Sequence, residues 1–280
     1  MRQLLITGGS GYLGGELVRQ ARAAGHDVAS TFHTRAVLHD PRARMLDVRD
    51  PAAVDALLDA VRPDAVIHTA YVLDGPELRA VTTDGAASVA CSAARVGAAL
   101  VHLSSDLVFA GDRDEPWTEG DAPRPVLAYG AAKADAERLV AAAHPTALVV
   151  RTSLLYGGPG SAAGAGSHER LVLDVASGRR DWRFFEDELR SPARVADVAG
   201  ATLEALRRGL CGPLHLAGAD TVSRLSFARL VARAWGADPD VLRGTPAPPG
   251  RPRNTALRTS RGAELPGTPL PGVARVLGGR

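Results

Sequence analysis

Short apolar runs alternate with longer amphipathic stretches through the first half of the chain. Residues 4–7 (LLIT), 27–32 (DVASTF), 64–70 (DAVIHTA), 99–105 (ALVHLSS) and 147–153 (ALVVRTS) have strand length. Between them, residues 13–24, 54–61, 77–96 and 131–143 carry helical spacing. The strand-like runs are almost continuously apolar, the pattern of strands covered on both faces. A strand–helix alternation of this kind predicts a parallel sheet with helices on both sides: an α/β, Rossmann-type doubly wound fold.

After residue 153 the rhythm breaks. Residues 156–169 form a Gly/Ala/Ser-rich loop, with the potential to act as a lid, and residues 244–254 a Pro/Gly-rich one. Helical patterns recur near 195–206 and 223–236. The expected organisation is a dinucleotide-binding domain over 1–153, with 192–217 returning to it. Residues 154–191 and 218–280 would form a smaller C-terminal substrate-binding lobe over the sheet's carboxyl edge.

Composition narrows the function. The chain has 280 residues, 45% of them hydrophobic, and a net charge of +2. That suffices for a real core and gives no bulk attraction to nucleic acid or acidic membranes. No apolar run approaches the roughly 18–20 residues of a membrane span. Cys91 and Cys211 stand far apart and the eight histidines lack ligand spacing, so no metal site is expected. A reducing cytoplasm is the expected location.

Candidate chemistry begins directly after the first strand. In TGGSGYLG, residues 7–14, Gly8, Gly11 and Gly14 open a helix. Glycine there permits a tight turn and lets a pyrophosphate approach the backbone, while the helix N-terminus offers free N–H donors. Tyr12 and Leu13 lie in the same turn, and Thr69 and Ala70 end a neighbouring strand, so all four are placed on the cofactor groove. An acid closing the second strand would bind the ribose hydroxyls of NAD. Thr31, His33 and Arg35 stand there instead, which favours the 2′-phosphate of NADP. Asp47 and Val48, after a short third strand, are expected at the adenine edge.

Ser104 and Ser105 end a strand at the carboxyl edge, where ligands of such sheets bind. In YGAAK, Tyr129 and Lys133 are four residues apart and share one helix face. With TGxxGxxG, the strand-end serine and YxxxK in this order, the chain resembles the extended short-chain dehydrogenase/reductases over nearly its whole length. The resemblance implies that Tyr129 is the proton donor, that Lys133 lowers its pKa and binds the nicotinamide ribose, and that Ser105 hydrogen-bonds the substrate carbonyl. Family members often carry an asparagine where this chain has Thr82.

The stretches SSDLVFAG (104–111), RTSLLYG (151–157) and FFEDELRSPARVADVA (184–199) are similar to the sugar-nucleotide branch that includes dTDP-4-dehydrorhamnose reductase. That similarity implies NADPH-dependent reduction of the 4-keto group of a nucleotide-linked deoxysugar. It also implies substrate contacts at Asp106, Leu107, Leu154, Arg190 and Arg251. Leu107 and Leu154 stand where the family often has aromatics, which removes stacking area for a sugar ring. Asp106 is followed by leucine rather than glutamate, which argues against a dehydratase. The alternatives are a non-catalytic NADP-binding regulatory subunit, or a ketoreductase or epimerase for another metabolite. A homodimer is the expected assembly.

Overall fold

A computed structural model describes residues 2–34, 40, 42–265 and 267–279. The strands are β1 (Gln3–Thr7), β2 (Asp27–Phe32), β3 (Ala43–Met45), β4 (Ala65–His68), β5 (Ala99–Ser105) and β6 (Leu148–Thr152). Helices α1 (Tyr12–Ala23), α2 (Pro51–Val61), α3 (Gly85–Val96) and α4 (Ala128–Ala143) link them. The second half supplies β7 (Leu155–Tyr156), α5 (Ser167–Ala176), β8 (Arg183–Phe185), β9 (Leu189–Arg190), β10 (Ala193–Arg194), α6 (Val195–Arg208) and β11 (Gly212–Leu216). It closes with β12 (Val222–Ser223), α7 (Arg224–Ala234), β13 (Arg243–Thr245) and α8 (Val273–Gly278).

The main sheet has seven strands in the order β11-β6-β5-β4-β1-β2-β3. Every pairing in it is parallel. The fold is therefore Rossmann-type, and its strand order reverses between β1 and β4, which opens a crevice at their carboxyl ends. Alternation along β1 feeds two cores. Leu4 and Ile6 pack with Leu17, Val198 and Leu214 beneath α1 and α6. Leu5 packs with Val66, Leu58 and Val89 beneath α2 and α3. Leu4, Leu5 and Ile6 are fully buried, each contributing about 1.5–3 kcal/mol.

A third cluster, with Leu154, Tyr156, Phe184, Phe227 and Val231, lies outside the sheet around α7. No described helix is long and apolar enough to cross a membrane.

Candidate active site

The glycine turn follows from sterics. Gly8 has φ +74°, and a Cβ on it would lie 2.7 Å from Thr69 Oγ1 and 2.9 Å from the Ala70 nitrogen. A Cβ on Gly14 would collide with the Gly8 carbonyl. Only glycine at both positions lets α1 start this close to β1 and β4. Gly11 is the N-cap residue of α1 and provides no side-chain cap, so the first-turn N–H groups have no side-chain acceptor there. That donor set, at the crevice where the sheet order reverses, fits a pyrophosphate.

Two cavities meet at this turn. One, of about 260 Å³, is lined by Gly8, Thr31, His33, Asp47, Val48 and Ala70 among others. The other, of about 180 Å³, is lined by Tyr12, Leu13, Gly14, Ser105, Tyr129, Lys133, Ser153 and His168 among others. Gly11, Thr69 and Tyr71 belong to both, so the two form one groove across the β1/β4 crevice.

At the end of the groove beyond β2, Thr31 is buried and accepts the Gly8 N–H at 3.2 Å, bracing the turn. His33 Nε2 lies 3.6 Å from Asp47. Hydrogen bonds from Arg49 hold the Asp47 carboxyl down at about 2, and Arg49 also pairs with Glu77. Arg35 lies outside the described residues.

At the other end, β5 delivers Ser105, and α4 delivers Tyr129 and Lys133. The helix begins at Ala128, three residues before the periodicity starts, so Tyr129 sits in its first turn. Gly130 makes this possible, because a Cβ there would strike the Leu107 carbonyl in the 3₁₀ turn after β5. The start of α4 thus rests directly on the turn that follows Ser105. Thr83, from the π-helical turn Ala80–Asp84 that precedes α3, adds a hydrogen bond to the Ala132 carbonyl at 2.8 Å. Neighbouring Thr82 accepts the Val72 N–H at 3.1 Å and donates to the Val72 carbonyl at 3.0 Å.

The electrostatics depart from expectation. Lys133 is buried; its Nζ donates to the Leu103 carbonyl at 2.8 Å and lies 5.3 Å from the Tyr71 ring centroid. Burial lowers its pKa to about 8, with Glu137 pulling the other way. The expectation that Lys133 lowers the Tyr129 pKa is corrected: burial pushes the phenol well above its ordinary value, reinforced by Tyr71 and Asp106 and opposed by Arg190. With Lys133 directed at the Leu103 carbonyl, desolvation dominates. The phenol is held in its protonated form.

Ser105 Oγ donates to Asp106 at 3.1 Å and accepts the Leu107 N–H at 3.2 Å. Asp106 is fully buried. It also accepts from Ser153 Oγ at 2.5 Å and from Arg190 at 2.6 and 2.5 Å. Asp106 and three more of the expected substrate contacts are thus engaged within the protein itself. Arg190 is buried and spends its guanidinium on Asp106 and Glu188. Arg251 is bonded to Glu188 at 2.8 Å and lies over Phe185. Leu154 is packed in the α7 core rather than on the cavity wall. Leu107 is half-buried, and its contribution here is the N–H on Ser105.

The loop over 157–166 is tied down. Glu169 is fully buried and accepts the N–H groups of Gly157, Gly158 and Gly166 at 2.8, 2.9 and 2.7 Å, with the Trp235 indole at 3.1 Å. The Tyr12 hydroxyl, from the start of α1, donates to the Gly164 carbonyl at 2.9 Å.

Sequence reasoning missed Tyr71, Gly130, Ser153 and His168. It also passed over a compositional signal. Of the 33 lysine and arginine residues, Lys133 is the only lysine. Arginine is permanently charged whereas a lysine ammonium titrates, and the chain's one lysine stands in this cavity.

Comparison with known proteins identifies the family. The family model described as RmlD substrate binding domain matches residues 1–274. The chain belongs to that family. It is 34% identical over 284 residues to the dTDP-4-dehydrorhamnose reductase of Mycolicibacterium smegmatis, covering 96% of this chain and 82% of that one. It is also 34% identical over 257 residues to a probable dTDP-4,6-dihydroxy-2-methyloxan-3-one 4-ketoreductase of Streptomyces antibioticus, covering 86% of this chain and 80% of that one. Among solved structures, the dTDP-4-dehydrorhamnose reductase of Bacillus anthracis, in complex with NADP, superposes with a TM-score of 0.83 at 24% identity over 99% of this chain and 97% of that one.

Proposed function

We propose that the protein is an NADPH-dependent reductase of the 4-keto group of a nucleotide-linked deoxysugar. The observation that carries this reading is that Ser105, Tyr129 and Lys133 line one cavity continuous with the glycine turn. NADPH in the groove would supply a hydride to the carbonyl carbon. The chain's own residues then handle the oxygen. Ser105, whose one hydroxyl proton rests on Asp106 in this structure, would turn to donate a hydrogen bond as negative charge develops. The Tyr129 phenol, protonated at neutral pH, delivers its proton to the developing alkoxide. Lys133 would reach the ribose hydroxyls of the nicotinamide half.

NADPH is favoured because β2 ends without an acid and carries Thr31 and His33 at the adenosine end. The NADP held by the Bacillus anthracis reductase supports the same choice. Residues 154–191 and 218–280 are proposed to shape the substrate side, and the cytoplasm is the proposed location. The identities to two dTDP-sugar reductases support a nucleotide-sugar substrate over a free ketone.

The test follows nicotinamide absorbance with NADPH, a panel of dTDP-4-keto-6-deoxysugars and small ketones. Turnover of a dTDP-4-keto sugar, lost in Tyr129→Phe with NADPH binding retained, supports the reading. Tight NADPH binding with no turnover of any member overturns it in favour of a binding subunit.

A further inference from the structure

One turn beyond Lys133, α4 buries a carboxylate. Glu137 lies on the same helix face and accepts from Arg151 at 2.7, 3.0 and 3.2 Å. It also accepts from Ser104 Oγ at 2.5 Å. Ser104 and Leu103, the residue whose carbonyl takes the Lys133 ammonium, are neighbours on β5. The helix is therefore fixed to β5 and β6 through both side chains. Burial of this kind needs a reason, because replacing a buried ion pair by apolar side chains is often neutral or stabilising.

The groups that face Lys133 suggest one. From β4 and β5 come His68 and His102, stacked 5.5 Å apart. Burial holds both rings neutral, and the Lys133 charge opposes their protonation. Tyr71 presents a ring, and Tyr129 a phenol on the first turn of α4. Arg151 on β6 is spent on Glu137. Among these, Glu137 is the only anion. Without it, a fully buried ammonium would rest on a carbonyl and neutral rings.

We propose that Glu137 is a positioning residue that keeps Lys133, the chain's only lysine, in its charged form within the cavity, with Ser104 and Arg151 aiming the carboxylate. The proposal rests on the reading of Lys133 as part of a reductase site, but its test does not. Because no other lysine exists, protein grown on [ε-¹³C]lysine, tag removed, shows one lysine Cε resonance, and its shift against pH reports Lys133 alone.

In the wild type the midpoint is expected near 8. In Glu137→Gln it should fall by a unit or more, and the alkaline limb of kcat/KM should move down with it. Glu137→Asp should return both toward wild type. Should the unpaired Arg151 prevent folding, Glu137→Gln with Arg151→Gln removes both charges and should still lower the midpoint. An unchanged midpoint in a folded variant lacking the carboxylate overturns the proposal, whatever the activity does. A shifted midpoint in a protein that reduces nothing would overturn the reductase reading and leave this one standing.

Discussion

Arg190 grips Asp106 through two charge-assisted hydrogen bonds of 2.6 and 2.5 Å, and both side chains are buried. The pair joins the turn after Ser105 to β9, 84 residues away. Since Asp106 also receives the Ser105 hydroxyl, Arg190 indirectly sets where that hydroxyl points. Arg190→Met leaves a buried carboxylate unpaired and is expected to cost about 3–5 kcal/mol. Replacing both partners, Asp106→Asn with Arg190→Met, should cost clearly less. Urea denaturation of the two variants checks this; equal losses would mean that the charge on Asp106 is not what Arg190 satisfies.

Lys133 trades stability for charge. Its folded pKa of about 8 lies below the ordinary 10.5. Below pH 8 both folded and unfolded states carry the proton, and the folded state bears the full cost of burial. Between about 8 and 10.5 the folded state releases the proton first, so the unfolded state binds more protons and stability rises with pH. The shift corresponds to about 3 kcal/mol. Lys133→Met is therefore expected to be inactive yet more stable at pH 7.5, with the advantage narrowing by pH 10. A constant stability difference across that range would remove the argument.

Gly130 separates Tyr129 from the body of α4. Gly130→Ala gains helix propensity of about 1 kcal/mol but drives a methyl into the Leu107 carbonyl. Overpacking of this kind costs about 1–3 kcal/mol. Activity should fall more than stability, because the displaced turn carries the phenol. Near wild-type kcat with a raised Tm would show that α4 has slack at its start.

Glu169 holds three loop N–H groups and the Trp235 indole. Glu169→Ala removes the shared acceptor and should destabilise the protein by about 2–4 kcal/mol. Limited proteolysis should then cut within 157–166 well before global unfolding. Wild-type protease resistance there would mean that the loop is held by other contacts, such as Tyr12 on Gly164.

What the chain determined by itself is local. The rhythm of apolar runs, the glycine spacing after the first strand and the four-residue step from Tyr129 to Lys133 each arise from neighbours in sequence, and each was legible there. Parallel pairing followed from the same rhythm, since strand–helix–strand crossovers leave few other arrangements, while the strand order came from the fold. Boundaries were less exact: α4 starts at Ala128 because Gly130 lets it pack against the Leu107 carbonyl, a contact no periodicity reveals.

Only the tertiary structure decided the electrostatics. Arg190 and Leu154 both read as substrate contacts, and only the fold sets Asp106 against the guanidinium and encloses Leu154 in the α7 core. Tyr129 was expected to be made acidic by a nearby ammonium; burial instead holds its proton on, while the ammonium turns to the Leu103 carbonyl. Charge, burial and hydrogen-bond direction depend on residues many tens of positions apart. They exist only once the chain has folded, which is why no spacing along it could have fixed them.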